Sequence, residues 1–383
     1  MMSNPLAFPI VDEPQGTAAL RKDVRDFLAS ELCDRPAGER ARSWTGVDFE
    51  FTRKLGERGW IGMTWPRQYG GHERRSLERF VVVEELLAAG APVAAHWAAD
   101  RQSGPLLLRF GTEAQRREFL PRIASGSCYF CIGMSEPDAG SDLAAVRMMA
   151  VKGDGGYVIN GSKIWTSGAD RAHYMILLCR TESRGEQRHD GVSQFIVDMK
   201  SPGVSVQPIL DISGRASFNQ VFFEDVFVPN ERLVGEEGQG WRQVTGELSF
   251  ERSGPDRFLS TFVLLVELIR AVGASPSREA TTAIGRFVAQ AHVLRQMSFS
   301  IANMIEAGDD PALQAAVVKD LGAMLEQDIP EMARLLLDAE ESDALEDFRN
   351  ALTQTMLLSP AYSLRGGTRE ILRGIIAKGL GLR

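Results

Sequence analysis

The period of the hydrophobic pattern changes twice along this 383-residue chain. From about residue 16 to 125, apolar residues recur three and four positions apart, as in A-A-L-R-K-D-V-R-D-F-L-A-S-E-L, which predicts amphipathic helices. Between about 127 and 234, short runs rich in β-branched and aromatic residues are separated by Gly, Asn, Asp and Pro, which predicts strands. From G-E-E-G-Q-G-W at 235–241 the helical period returns and persists.

We therefore predict an α+β fold with three domains. Residues 1–125 form an N-terminal helical domain, 126–234 a central antiparallel β-barrel or sandwich, and 235–383 a C-terminal helical bundle. Long, nearly all-apolar helices such as F-L-S-T-F-V-L-L-V-E-L-I-R-A-V usually pack as bundles, and a surplus apolar face often marks a subunit interface.

Charge and hydropathy exclude several function classes. The net charge is -8 and Lys and Arg are dispersed, so no basic surface is expected to bind nucleic acid. The sequence has no uninterrupted apolar stretch of about 18 residues, and its first residues lack the pattern of a signal peptide. We expect an intracellular, cytoplasmic enzyme without membrane insertion.

Cysteine and histidine spacing gives no sign of a disulfide framework or a metal site. The four cysteines, Cys33, Cys128, Cys131 and Cys179, are too few and too dispersed, so reduced thiols are expected. Cys128 and Cys131 form a C-x-x-C pair, but redox versions of that motif open a helix, whereas Y-F-C-I-G-M predicts a strand. The five histidines are isolated from one another and from cysteine, so no metal site is predicted.

Three glycine-containing motifs are candidates for ligand binding. G-E-E-G-Q-G-W suggests a dinucleotide fingerprint, but no βαβ unit surrounds it, so a turn into the last helical region is the better interpretation. C-I-G-M-S-E-P-D-A-G-S-D at 131–142 runs from a strand into a polar loop, where backbone N–H groups and hydroxyls are free to bind a ligand. N-G-S-K-I-W-T-S-G-A at 160–169 sets an aromatic plane beside hydroxyl donors, as a flat heterocycle requires.

Together with G-W-I-G-M-T-W-P-R-Q-Y-G-G and the C-terminal G-G-T-R-E-I-L-R-G-I-I-A, the last two motifs resemble those of the acyl-CoA dehydrogenase family along nearly the whole chain. The resemblance implies a flavoprotein with FAD held between the β domain and the C-terminal helices, and an acyl-CoA thioester against the flavin. It also implies a tetramer in fatty acid or sterol catabolism that passes electrons to an electron-transfer flavoprotein or another acceptor.

The resemblance also implies roles for individual residues. Ser135 would meet the pyrimidine edge of the flavin, Ser141 the CoA arm of the substrate, Trp165 the isoalloxazine face and Ser167 flavin N5. Glu370 stands where the family more often has Gln. The implied FAD contacts are Ile132, Gly133, Met134, Ser135, Ser141, Trp165, Thr166, Ser167, Gly367, Thr368 and Glu370.

The reaction implied is α,β-desaturation, which needs a glutamate as base. Most family members carry it just before a Gly-Thr pair near the C-terminus, but this chain has Gly366 there. Branched-chain and some long-chain members use a Glu in an L-x-x-E-R segment, and L-S-F-E-R places Glu251 in that position. Glu247, one turn earlier, is the reserve candidate, and Arg252 is assigned with Ser141 to substrate binding. Without the resemblance, Glu251 would be interpreted as a solvated helix charge.

Two departures bear on assembly. The family's R-x-x-F-G segment, whose arginine reaches FAD in a neighbouring subunit, is not found, and neither is its later Q-x-x-G-G segment. The chain is therefore expected either to form a homo-oligomer or to pair with a related subunit as an α2β2 tetramer. Two further alternatives stay open, namely a flavin oxidase or monooxygenase on the same fold and a non-catalytic partner subunit.

Overall fold

The computed structural model describes residues 6–183, 185–336 and 345–382, and the side chains of residues 247–251 lie outside this description. The chain forms two compact units. The helical unit comprises Met1–Asp48, Arg74–Val93 and Ser249–Arg383, and the sheet unit comprises Phe49–Glu73 and Ala94–Leu248. The predicted division at residues 125 and 234 stays a prediction.

The predicted order of helices, strands and helices is confirmed. In the described residues the α-helices are α1 (Thr17–Glu31), α2 (Ala37–Arg40), α3 (Phe49–Glu57), α4 (Ser76–Ala89), α5 (Ala94–Ala98), α6 (Gly104–Phe110), α7 (Glu113–Ala124), α8 (Gly240–Glu251), α9 (Phe262–Val272), α10 (Arg278–Ala307), α11 (Ala312–Leu336), α12 (Glu346–Tyr362) and α13 (Arg369–Gly379). No helix among the described residues is both long enough and apolar enough to cross a membrane.

Side-chain caps begin several of these helices. Thr112 accepts a hydrogen bond from the Gln115 backbone N–H at the start of α7, and Ser277 accepts one from Ala280 at the start of α10. In the helical unit, Phe80 of α4 packs edge to face on Phe299 of α10 with ring centroids 5.1 Å apart. This packing buries the apolar faces whose 3.6-residue period is visible in the sequence.

The sheet unit contains one seven-stranded sheet. Its strands are β1 (Phe130–Gly133), β2 (Met149–Gly153), β3 (Gly156–Ser167), β4 (Tyr174–Arg180), β5 (Val192–Asp198), β6 (Val204–Ile209) and β7 (Phe218–Pro229). The long strands β3 and β7 pair antiparallel, with β2 on the other edge of β3 and β6 on the other edge of β7. β4 pairs with β5 along one edge, and with β1 and then β2 along the other.

The sheet is mixed, whereas the sequence predicted an antiparallel one. β1 pairs in parallel with β4, from Phe130 opposite Tyr174 to Gly133 opposite Leu177, and β2 adds a parallel bridge at Met149. The hairpin of β2 and β3 turns at Asp154–Gly155, where Gly155 has φ of 74°. Strands β1, β2 and β4 therefore run in the same direction, and β3 runs opposite to them. The side chains of one sheet face bury a core that includes Tyr157, Ile159, Phe195, Val221 and Phe223.

Candidate active site

The end of strand β3 departs from regular strand geometry at Trp165. Between Lys163 and Thr166 the register with β7 shifts, so that two residues of β3 oppose one residue of β7. Trp165 lies in this bulge with φ of 60°, a left-handed conformation that is rare for a bulky residue. Its indole is 57% exposed and packs edge to face on Phe218, with ring centroids 6.0 Å apart. Such strain is concentrated at functional sites, where the surrounding structure maintains it.

The two residues after Trp165 have opposite surroundings. Ser167 is exposed, like Trp165, so the indole and this hydroxyl emerge on one side of the strand. Thr166 is buried, and its backbone carbonyl accepts a hydrogen bond from the Asn219 side-chain amide at 3.1 Å. All three residues were predicted to contact FAD. The structure places the side chains of Trp165 and Ser167 on one side of the strand and buries that of Thr166.

The loop that follows β1 is bound along the bulge. The Ile164 backbone N–H donates to the Ser135 carbonyl at 2.9 Å. Gly133 has no room for a side chain, because a Cβ would lie 2.4 Å from Met175 Sδ. Ile132, Met134 and Ser135 are half-buried. The predicted flavin residues of the first motif therefore lie beside those of the second.

The far end of the same loop is open. Glu136 and Ala139 exchange backbone hydrogen bonds of 2.9 and 3.0 Å, which close a tight turn. Ser141 is exposed, and neighbouring Asp142 forms an ion pair with Arg188. An exposed hydroxyl is consistent with the expected contact of Ser141 with the CoA arm, which stays a prediction.

In the helical unit, the Gly366–Gly367 turn is surrounded by arginines. Gly366 has φ of 68° and Gly367 has φ of 101°. The Arg252 Nε donates to the Gly366 carbonyl at 2.9 Å, and a Cβ on Gly367 would lie 3.3 Å from Arg252 Nη2. Arg257 is 1% exposed, and its Nε is 3.0 Å from Asp256 Oδ2. The predicted substrate arginine thus binds the turn that replaces the usual base.

Glu251 is the last residue of α8, and its side chain, like that of Glu247, lies outside the described residues. The chain continues through Arg252, Ser253 and Gly254 into a 3-10 turn at Pro255–Arg257. Glu251 therefore directly precedes a residue whose guanidinium is hydrogen-bonded to the glycine turn.

Thr368 and Glu370 begin helix α13. Thr368 is the N-cap, and its hydroxyl accepts a long 3.5 Å hydrogen bond from the Ile371 backbone N–H. Hydrogen bonds from its own backbone N–H and from the Thr368 side chain hold the pKa of Glu370 below its ordinary value. A carboxylate here occupies the electropositive end of the helix, so its charge opposes a phosphate at the same place.

Three cations near these residues were not among the predicted site residues, namely Lys163 and Arg257, which are buried, and Arg365, whose side chain is 11% exposed. Lys163 could have been noticed from strand parity, because it shares the inward register of Tyr157 and Ile159 in β3. For Arg257 and Arg365 we find no local signal, since their partners depend on the helix packing.

The cysteines are free thiols, as expected. Cys33 is exposed, whereas Cys128, Cys131 and Cys179 are buried. Burial raises the pKa of the Cys128 thiol to about 11 and that of Cys179 to about 12, and it also raises the pKa of Cys131. These thiols lack the lowered pKa of redox-active cysteines.

The donor set of the sheet unit fits a flavin. A flavin needs an apolar plane for its ring face and hydrogen-bond donors for its edge, and FAD is typical of proteins with these motifs. The exposed indole of Trp165, the hydroxyl of Ser167 on the same side and the adjacent Ser135 supply both kinds of contact.

Comparisons with known proteins identify the family of the chain. Residues 15–127 match the family model "Acyl-CoA dehydrogenase, N-terminal domain", and residues 131–226 match "Acyl-CoA dehydrogenase, middle domain". The chain is 32% identical over 379 residues to acyl-CoA dehydrogenase IpdE1 of Mycobacterium tuberculosis, which covers 95% of this chain and 97% of the relative.

Two solved structures are similar over nearly the whole chain. One is the Tcur3481-Tcur3483 steroid ACAD, with a TM-score of 0.86 and 30% identity over 97% of this chain and 99% of that one. The other is the ChsE4-ChsE5 complex from Mycobacterium tuberculosis, with a TM-score of 0.83 and 30% identity over 97% and 99%. Members of this family are oxidoreductases that dehydrogenate acyl-CoA with a flavin. The chain belongs to the acyl-CoA dehydrogenase family.

Proposed function

We propose that the chain catalyses FAD-dependent α,β-desaturation of an acyl-CoA thioester to the enoyl-CoA, with Glu251 as the base. The main support for Glu251 as the base is the conformation of Gly366. This glycine occupies the position where most family members have glutamate. An electron-transfer flavoprotein is the proposed acceptor of the electrons.

A glutamate at position 366 would be both strained and crowded. A residue other than glycine at this position would have to adopt φ of 68°, which is unfavourable for an L-amino acid. Its Cβ would lie 3.0 Å from Arg257 Nη2 and 3.2 Å from Arg257 Cζ. The guanidinium is buried and paired with Asp256, so it has little freedom to withdraw. These contacts support a base elsewhere on the chain, and L-S-F-E-R supplies Glu251.

Glu251 would act on the α-carbon of the substrate. Its carboxylate takes the α-proton, which leaves the electron pair of that C–H bond to form the α,β double bond. To do this at neutral pH the carboxylate must be unprotonated and desolvated by the bound substrate. Arg252 would fix the end of α8 through its bond to the Gly366 carbonyl, and it is placed to contact the substrate.

The cofactor contacts implied by the motifs have distinct roles. FAD, when bound, supplies a two-electron acceptor that takes the β-hydrogen as hydride at N5. Trp165 would cover the ring face, Ser167 and Ser135 would donate to its edge, and Gly367 and Thr368 would approach its phosphate and adenosine side. N–H and O–H donors at the pyrimidine edge stabilise negative charge that develops there.

The substrate class that we propose is a branched or bulky acyl-CoA. A base on the earlier helix is associated with such substrates in the family. One similar structure is the Tcur3481-Tcur3483 steroid ACAD, and a relative that is 33% identical over 61% of this chain is isovaleryl-CoA dehydrogenase of Pongo abelii. A sterol-side-chain or branched thioester is therefore the first to test.

Anaerobic reduction of the bound flavin tests the base. We expect a branched or sterol-side-chain acyl-CoA to bleach the flavin of the wild-type protein, and Glu251→Gln to slow the bleaching at least about 100-fold while FAD stays bound. Glu247→Gln, one turn earlier in α8, is the matched control and should react like the wild type. Equal rates for Glu251→Gln and the wild type would exclude Glu251 as the base.

The same assay separates the alternatives. An oxidase would sustain turnover with dioxygen when no electron-transfer flavoprotein is added, whereas a dehydrogenase would need the added acceptor. With a non-catalytic subunit, this chain alone would leave the flavin unbleached with every thioester, and Glu251→Gln would not slow bleaching by the complex.

We also propose that the chain assembles with a related subunit as an α2β2 tetramer. The missing R-x-x-F-G and Q-x-x-G-G segments support this, as do the similar Tcur3481-Tcur3483 steroid ACAD and the ChsE4-ChsE5 complex, each of which is named for two proteins. Light scattering and flavin content of the protein alone provide the test. A tetramer of this chain alone with one tightly bound FAD per chain would contradict the proposal.

A further inference from the structure

A lysine is buried beneath the strained end of β3. The Lys163 side chain is 0% exposed, and its ammonium donates to the Met134 carbonyl at 2.9 Å and to Glu136 Oε1 at 3.0 Å. Burial lowers the pKa of this ammonium, an effect that the charge of Glu136 partly offsets. The lysine therefore connects β3, two residues before Trp165, to the loop that contains Ser135.

Glu136 extends the connection to the start of β2. Its Oε2 accepts the Arg147 backbone N–H at 2.7 Å, and its Oε1 accepts the Met148 backbone N–H at 3.0 Å. The carboxylate is 10% exposed, so water contributes little to these bonds. The Glu136 carboxylate thus joins the two ends of the loop, residues 136 and 147–148. It also binds the Lys163 ammonium, which extends from β3.

Stability alone gives little reason for a charged pair in this place. Burying two ions is costly, and well-packed apolar side chains of similar volume often give equal or greater stability. The pair lies instead beside two backbone segments of the candidate flavin site. Trp165, with φ of 60°, and the Ser135 carbonyl, which accepts the Ile164 N–H, both lie within two residues of its anchor points.

We propose that Lys163 and Glu136 are positioning residues for the flavin, which hold Ser135 and the bulge of Trp165 in their FAD-binding geometry. The ammonium fixes the Met134 carbonyl, and the carboxylate fixes the remainder of the loop, so that the edge donors and the aromatic plane keep one relative position. This inference rests on the proposed binding of FAD. Its outcome can be distinguished from that of the proposed function, because absence of FAD binding by the wild-type protein, both alone and assembled with the related subunit, would reject the proposed function itself.

Two substitutions of equal length separate the donor groups of Lys163 from its bulk. Lys163→Met fills the site without donors, and Lys163→Gln has the same length with two N–H donors. The matched control is Lys152→Met in β2, since Lys152 also pairs with a glutamate, Glu237, at 2.8 Å, but is exposed. Each full-length protein is purified in the assembly that binds FAD in the wild type, stripped of flavin, checked for folding by far-UV circular dichroism and titrated with FAD.

We expect Lys163→Met to weaken FAD binding at least about tenfold, Lys163→Gln to weaken it less, and Lys152→Met to leave it unchanged. In Lys163→Met that has been saturated with FAD, the visible spectrum should change and the midpoint potential should become more negative, because the edge donors are displaced.

A folded Lys163→Met protein with wild-type FAD affinity, flavin spectrum and potential would overturn the proposal. If Lys163→Met does not fold, Lys163→Gln decides. Weakened FAD binding by a folded Lys163→Gln protein supports the positioning role, and wild-type binding overturns it.

Discussion

Replacing Glu326 by alanine should destabilise the helical unit strongly, because this buried carboxylate neutralises Arg365, whose side chain is only 11% exposed. Glu326 lies on α11 and is 1% exposed. Its Oε2 accepts from Arg365 Nη2 at 2.7 Å, and its Oε1 accepts the Ser260 backbone N–H at 2.9 Å. The guanidinium also lies 4.5 Å from the centroid of Trp44 and 5.0 Å from that of Tyr362, which shield it from water.

The expected loss follows from these contacts. Alanine leaves one buried N–H without an acceptor, which costs about 1–3 kcal/mol. It also leaves a largely buried cation without its counter-charge, and breaking a buried pair in this way costs about 3–5 kcal/mol in total. For a unit of this size, such a loss lowers the melting temperature by roughly 10 °C.

Thermal unfolding followed by far-UV circular dichroism measures the effect. Glu331→Ala is the matched control, because Glu331 lies on the same helix and also pairs with an arginine, Arg334, but the pair is exposed. We expect Glu331→Ala to unfold with the wild type, since exposed pairs contribute little. If Glu326→Ala shifts the melting temperature no more than Glu331→Ala does, the reasoning from burial is refuted.

Three further predictions concern other parts of the chain. Alkylation of the native protein should modify Cys33 alone, because the other three thiols are buried, and mass spectrometry before and after unfolding checks this. Glu370→Gln should tighten FAD binding about twofold or more in a fluorescence titration, because it removes a negative charge from the start of α13; weaker binding would contradict this. Burial raises the pKa of Glu13, but Arg295 and Arg21 outweigh it and hold the pKa below 4.5. Its stabilising effect is therefore present above pH 4.5 and lost as the pH falls through the folded-state pKa, so Glu13→Gln should flatten that part of the stability profile.

The hydrophobic period predicted most of the helices and strands. Apolar residues repeat about every 3.6 residues in a helix and every 2 residues in a strand with one buried face, so the period indicates the type of element. The region predicted to form strands, 127–234, contains β1–β7. The region predicted to be helical from residue 235 onward contains α8–α13. Strand β2 was missed because M-A-V-K-G is short and weakly alternating, and it is a strand through its pairing with β3. The parallel pairing of β1 and β4 was missed for a related reason, since strand direction depends on connections and not on local period.

Candidate site residues could be predicted where the type of side chain indicates its chemistry. Features that depend on backbone conformation or on contacts between distant segments could not be predicted. Trp165 and Ser167 were predicted from the motif, but the bulge at Trp165 and its φ of 60° depend on register with β7. Gly366 was noticed from the sequence as a missing glutamate. Its contact with Arg257 depends on packing between segments more than 100 residues apart, which no short motif records.

The two candidate regions use the same structural device. In the sheet unit, the left-handed residue Trp165 follows Lys163, whose ammonium binds Glu136, 27 residues away in sequence. In the helical unit, the left-handed residue Gly366 follows Arg365, whose guanidinium binds Glu326, 39 residues away. In each case an ion pair that is largely shielded from water, with directional bonds that apolar packing lacks, joins a distant segment to the chain beside a left-handed residue. Substitution of these interior charges should therefore disturb the site more than substitution of the exposed charges around it.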